Sequence, residues 1–233
     1  MSGVSPSAWA IDDSGVLRRA GVAALLLGGQ VHNSSSSTPA AIRASFAKAR
    51  AANANTVLAP VSWTQFEPEE GAFDPTLIDC MITEARALGL RLVPLWFGAV
   101  KNAGSGYAPS WVRGDPDRFP RAVVSGRGKA AFTYDGATAK PVLSLFGENL
   151  LRADAAAFAA LLSHIARVDV GDVVAMVQVE NEAGILTDSR DRSDTATAVW
   201  ESPVPAQLIT ALAASDGTSP SARRWTDRGR PLE

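Results

Sequence analysis

Cysteine and histidine are scarce in this chain of 233 residues, which has one of the first and two of the second. The single Cys80 excludes an intramolecular disulfide, and its place in a helical stretch marks it as a small apolar packing residue. Neither His32 nor His164 has a Cys or carboxylate cluster nearby in sequence, so no dedicated zinc site, and no metal, is expected. Charge of one sign is missing as well. The net charge is −2 with a pI near 5.8, and the Lys and Arg residues are dispersed, which excludes a basic surface for nucleic acid. Long hydrophobic runs are absent. The apolar run 21–27 follows Arg18-Arg19 as in an export signal, but it is too short to span a membrane and no small-residue cleavage site follows it. It reads as a strand of a cytoplasmic protein. No G-x-G-x-x-G fingerprint and no P-loop occurs, which argues against a nucleotide-binding sheet; no cofactor is expected.

What is present is an alternation of strand and helix. Residues 22–31 form a continuous apolar strand candidate ending in Gly28-Gly29-Gln30-Val31-His32. Thr38-Pro39 then offers an N-cap with proline in the first turn, and Ile42, Phe46 and Ala49 line one face of a helix over 39–53. Thr56 to Trp63 is the second strand, Thr76 to Leu88 the second helix with Gly89 closing it, and Arg91 to Phe97 the third strand. An irregular stretch rich in Gly, Pro and aromatics runs over 98–146, followed by a helix over 149–167 and a fourth strand over Val173 to Val179. Beyond it come a polar loop (187–199), a helix-like stretch from Pro205 to Ala214, and a polar tail. Continuous apolar strands separated by helices predict a parallel sheet covered by helices, an α/β fold of the (β/α)8 barrel type. The expected organisation is a lead-in over 1–19, barrel units over 20–214 and a tail over 215–233.

Polar and aromatic groups recur at one edge of these strands. The first strand releases Gln30, His32 and Asn33, the second Trp63, Gln65 and Glu67, the third Trp96, Lys101, Asn102, Tyr107 and Trp111, and the fourth Glu180, Asn181 and Glu182. In a (β/α) barrel this edge carries the catalytic groups. Carboxylates and an amide emerging from an apolar strand need a reason, because unpaired polar groups there are costly. Aromatic platforms with amide and carboxylate hydrogen-bonders suit a sugar ring, which has apolar faces and a hydroxyl rim. Each of Trp63, Trp96 and Trp111 serves equally well as a core aromatic, His32 as a loop histidine, and Glu69 and Glu70 as members of a solvated turn. Glu180 suits a structural bond within the barrel mouth.

Two motifs then resemble a known group. Trp63-Thr-Gln-Phe-Glu-Pro-Glu-Glu-Gly71 resembles the W-x-x-x-E-P-x-x-G signature of glycoside hydrolase families 35 and 42. Gln178-Val-Glu-Asn-Glu-Ala-Gly184 resembles the Q-[IV]-E-N-E-x-G of family 35 β-galactosidases, and residues 95–121 resemble the loop after the third strand in a bacterial branch of that group. The resemblance spans roughly residues 20–212. It implies a retaining β-glycosidase in which Glu182 is the general acid/base and Asn181 binds the sugar 2-hydroxyl. His32, Trp63, Glu67, Trp96, Lys101, Asn102 and Tyr107 are the candidate sugar contacts. The family's usual carboxylate after the third strand has no counterpart, with Lys101 and Asn102 standing there instead.

A retaining glycosidase also needs a nucleophile about 5–5.5 Å from its acid/base. The resemblance places that glutamate after a seventh strand, whereas four strands have been counted by residue 182. A whole barrel takes about 250 residues. The expectation is therefore the first half of a barrel, with little turnover of its own, open edges, and need of a partner, a second copy or a complementing half. The alternative is a non-catalytic carbohydrate-binding half barrel.

Overall fold

The computed structural model describes residues 9–101, 104–123, 142–182 and 189–214. They divide into two compact units, 1–196 and 197–233. The first unit is built on a parallel sheet of β4 (Gly28–Gln30), β5 (Thr56–Ser62) and β6 (Arg91–Phe97), in that order. β5 and β6 run in register from Thr56↔Arg91 to Ser62↔Phe97. Both are almost wholly buried, as uninterrupted apolar sequence requires of strands covered on both faces.

Helices cover one face. In α1 (Pro39–Ala51) the Thr38 side chain accepts from the Ala41 N–H, proline occupies the first turn, and Ile42 and Phe46 face inward. α3 (Thr76–Ala87) buries Ile78, Met81, Ile82 and Ala85. It stops at Gly89, whose φ of +65° is the left-handed conformation that a helix C′ position takes most easily as glycine. After a single turn, α4 (Ser110–Arg113), the third long helix, α5 (Glu148–Val168), buries Leu150, Asp154, Ala157, Leu161 and Ile165. His164 Nε2 meets Asp79 Oδ1 at 2.6 Å and ties α5 to α3. These faces join Val57, Ala59, Leu92, Trp96 and Val173 in the main core, while Val93, Leu95 and Phe97, alternating along β6, form a second cluster with Leu58 and Tyr107. Cys80 is half-buried against the core, and burial pushes its thiol pKa up.

Three expectations about the elements change. The run 22–31 is two strands in different sheets. Val22–Ala23 (β3) pairs antiparallel with Leu17–Arg19 (β2), which pairs in turn with Trp9–Ile11 (β1). Ala20 and Gly21 between them have φ of +50° and +78°, a two-residue hairpin turn that the apolar pattern conceals. Residues 9–19 are thus a meander, with the Trp9 ring between the guanidinium groups of Arg19 and Arg91 at 5.9 and 5.8 Å.

The fourth strand is the second change. Val173 to Val179 runs alongside β6 but touches it through isolated parallel bridges, Leu92↔Val174 and Leu95↔Gln178. The bridges lie three residues apart on β6 and four apart on the segment, so the segment carries a one-residue bulge. Pro94 explains it. Its carbonyl accepts from the Gln178 N–H on this side, and proline has no donor to return.

Third, the stretch 187–199 is not all loop. Asp194–Glu201 is a helix (α6), and the Ser193 hydroxyl accepts from the Ala196 N–H at its start. The second unit contains α7 (Ala206–Ala214), close to the helix expected from Pro205. Among the described residues no helix is long and apolar enough to cross a membrane.

Candidate active site

The C-terminal ends of the parallel strands bring four segments to one edge. β5 runs straight into a single helical turn, α2 (Trp63–Phe66), which draws Trp63 inward. Trp63 is fully buried and packs on Trp96 and Trp111, with ring centroids 6.5 and 5.9 Å apart. Its indole N–H donates to Glu67 Oε2 at 2.7 Å, and Glu67 Oε1 accepts from the Gly71 N–H at 2.8 Å. Glu67 is 4% exposed. Both of its oxygens are spent on holding the Glu67–Gly71 turn. Trp96 is buried too, and its indole N–H donates to Asp154 at 2.7 Å. Trp63, Glu67 and Trp96, expected as sugar contacts, stand in a packed layer behind the edge, where aromatic area leaves water and the hydrogen bonds to Glu67 offset the cost of burying its carboxylate.

The groups that do gather at the edge are fewer. Lys101 Nζ donates to Glu182 Oε2 at 2.7 Å, with the lysine side chain 5% exposed and the glutamate 60% exposed. The ammonium lies 5.0 Å from the centre of the Phe97 ring, and Phe97 meets Tyr107 edge-on at 5.0 Å. Burial pushes the Tyr107 phenol pKa up, and the Asn33 side chain, from the segment after β4, opposes that rise. Asn33, Phe97, Lys101, Tyr107 and Glu182 thus gather at one edge, drawn from the ends of β4 and β6 and from the fourth segment. His32 is exposed, and its Nδ1 accepts from the Ser34 N–H at 3.3 Å, so it stays local. Asn181 stands beside Glu182, and its Oδ1 is buried with no hydrogen-bond partner. Asn102 lies outside the described residues.

One pair escaped the sequence reading. Asp154 sits on the apolar stripe of α5, and its oxygens accept from the Trp96 indole (2.7 Å) and the Ala99 backbone N–H (2.8 Å). Glu180 hydrogen-bonds to it. Burial, and then the hydrogen bond and charge of Asp154, push the Glu180 carboxyl up to about 9. A signal for Asp154 existed: a carboxylate in register with Leu150, Ala157 and Leu161 on a buried helix face.

An exposed carboxylate held by a buried ammonium at the C-terminal edge of parallel strands is able to exchange a proton with a bound ligand. Among the described residues no group of His, Cys, Asp and Glu is placed to hold a metal ion.

No family model and no curated protein matches the chain. Solved structures do. One is the exo-beta-1,4-mannosidase Op5Man5 from Opitutaceae bacterium strain TAV5, at 17% identity and a TM-score of 0.50, over 90% of this chain and 31% of that one. The fold is part of a (β/α)8 barrel. Weaker likenesses are to GH5_18 from Streptomyces cattleya in complex with GlcNAc (16% identity, TM-score 0.44, 83% of this chain and 38% of that one) and to endo-glycoceramidase II from Rhodococcus sp. (18%, 0.43, 71% and 40%). These neighbours are glycoside hydrolases, and the fold assignment rests on the first alone. The chain spans about a third of that protein's length. The described part is an open sheet and not a closed barrel.

Proposed function

We propose that this chain carries the acid/base side of a retaining β-glycosidase site, with β-galactosides of the family 35 and 42 type as substrates. The observation that supports the reading best is Glu182: an exposed carboxylate at the catalytic edge of a barrel-type sheet, next to Asn181 and held by Lys101. Glu182 protonates the leaving oxygen and then activates water for breakdown of the glycosyl-enzyme. Asn181, whose Oδ1 has no partner, is free to take the sugar 2-hydroxyl. Lys101 keeps Glu182 aimed until the sugar arrives, and Tyr107 with Asn33 walls the site opposite. The galactoside and family 35/42 assignments rest on the motifs around Trp63–Gly71 and Gln178–Gly184. The nucleophile carboxylate is supplied by residues beyond those described.

The purified chain is expected to hydrolyse a nitrophenyl β-galactoside little or not at all and to bind galactose, with the binding weakened roughly tenfold by Asn181→Ala. Appreciable hydrolysis abolished by Glu182→Gln overturns the claim that the nucleophile lies elsewhere. Failure to bind any of galactose, glucose and mannose in a calorimetric titration overturns the carbohydrate reading itself. The second reading is a non-catalytic carbohydrate-binding half barrel, favoured by the open sheet of the described residues and by the ion pair that occupies Glu182. It is supported if binding survives Glu182→Gln unchanged.

A further inference from the structure

Glu182 does not leave the sheet along a regular strand. The last backbone bonds to β6 are Gln178 N–H to the Pro94 carbonyl (3.0 Å) and Trp96 N–H to the Gln178 carbonyl (3.1 Å). Two residues later Glu180 has φ of +59°, and Glu182 has +52°. Left-handed backbone at two glutamates is costly and persists only where the surroundings impose it. One restraint is local, from Gln178 Nε2 to the Glu180 carbonyl at 2.9 Å. The other is the Glu180 side chain, which reaches across to Asp154 on α5.

Hydrogen-bond logic assigns the proton between these carboxyls. Asp154 already accepts two N–H donors, so it is the acceptor, and a Glu180 that bonds to it must supply an O–H. The pair is pressed against the backbone of Gly98. A Cβ there would stand 2.5 Å from Glu180 Oε1 and 2.6 Å from Asp154 Oδ1. It also borders an apolar cavity of about 350 Å³ lined by Leu145, Leu150, Phe158 and Val179, and Glu180 Oε2 is buried with no partner. Few polar groups are available to solvate a second negative charge. Facing Glu180, α5 presents Asp154 and the β6 side the uncharged N–H groups of Trp96 and Ala99; on its own segment, Glu182 is turned to Lys101.

We propose that Glu180 and Asp154 share one proton and that this proton clamps the Glu180–Glu182 turn to α5, making Glu180 a positioning residue for Glu182. The role of Glu182 rests on the glycosidase reading above, whereas the clamp itself does not. When the proton leaves, two carboxylates face each other under Gly98, the turn is released, and Glu182 loses its fixed place against Lys101.

The test is NMR on the full chain, labelled with 15N in tryptophan and 13C in the glutamate carboxyls, from pH 6 to 10.5. In the wild type the Trp96 indole resonance, assigned with Trp96→Phe, is expected to titrate with a midpoint near 9, and the Glu182 carboxyl signal to move at the same midpoint. Glu180→Gln replaces the shared O–H by an N–H donor. It is expected to keep the pH 7 position of the Glu182 signal and to abolish both alkaline shifts, whereas Glu180→Ala displaces that signal already at pH 7. A flat Trp96 resonance in the wild type overturns the shared proton. A Glu182 signal indifferent to the Trp96 transition overturns the positioning role; should Glu180→Ala fail to fold, Glu180→Gln and the wild-type titration decide alone. Calorimetry with galactose, glucose and mannose at pH 7 is read separately: binding of none of them with a titrating Trp96 removes the glycosidase reading and leaves the clamp standing.

Discussion

At the scale of single residues, the site depends on polar groups that have no access to water. Glu67 is the plainest case. Glu67→Ala strands the buried Trp63 indole N–H, at a cost of roughly 1–3 kcal/mol, while the exposed Gly71 N–H can turn to water. Urea unfolding is expected to show that loss, with Glu67→Gln recovering part of it through its remaining acceptor. Gly98 is a steric counterpart. Gly98→Ala places a methyl within 2.6 Å of Glu180, Trp96 and Asp154, and overpacking of this kind costs about 1–3 kcal/mol. Its melting temperature is expected to fall, and in Glu180→Ala the same substitution should be better tolerated. By contrast Arg118, which grips Glu70 with two bonds of 2.9 and 2.7 Å, does so between exposed side chains. Arg118→Ala should leave the urea midpoint close to that of the wild type, because an exposed ion pair is screened by solvent.

At the scale of elements, the question is what fastens each helix and strand to the next. Phe46 is the fully buried centre of the α1 face, and Phe46→Ala is expected to cost about 3–5 kcal/mol in the same unfolding assay. The link between α5 and the fourth segment is instead set by pH. Glu180 releases its proton near 4.5 when unfolded and near 9 when folded, so between those values the folded chain holds one proton more. Stability therefore falls as pH rises through that window, by at most about 1.4 kcal/mol per pH unit for a single proton, and levels off above it. Denaturant midpoints at pH 6, 7, 8 and 9 are expected to decline in the wild type and to decline less in Glu180→Gln. Equal slopes in the two proteins exclude Glu180 as the source.

At the scale of the whole molecule, the open sheet has two unpaired sides among the described residues. β4 is exposed along its length with Leu25 and Leu27 beside it at 78% and 61% exposure, and at the other side Val179 is 66% exposed. Unpaired backbone with apolar side chains along it recruits another strand. Light scattering at rising protein concentration is expected to show association, and Leu27→Lys with Val179→Lys to reduce it. A monomer at tens of micromolar would mean that these sides are covered by residues outside the described part.

Much of this architecture is legible in the amino-acid order, because a strand buried on both faces has to be continuously apolar and a helix on such a sheet has to show an apolar stripe. β5, β6, α1, α3 and α5 all follow from that rule, and so does the edge at which Glu182 emerges. Local chemistry that the pattern does not encode is what tertiary structure decided. The Ala20-Gly21 turn divides an apolar run between two sheets, and a missing donor at Pro94 puts a bulge in the fourth segment. Partners far apart in sequence settled the rest: Glu67 and Trp63 are satisfied by each other, so they lie in the core, while Asp154 meets Glu180 only once α5 has packed. Residue type marks a group as able to do chemistry; whether it faces ligand, solvent or another side chain depends on which distant segment satisfies it first.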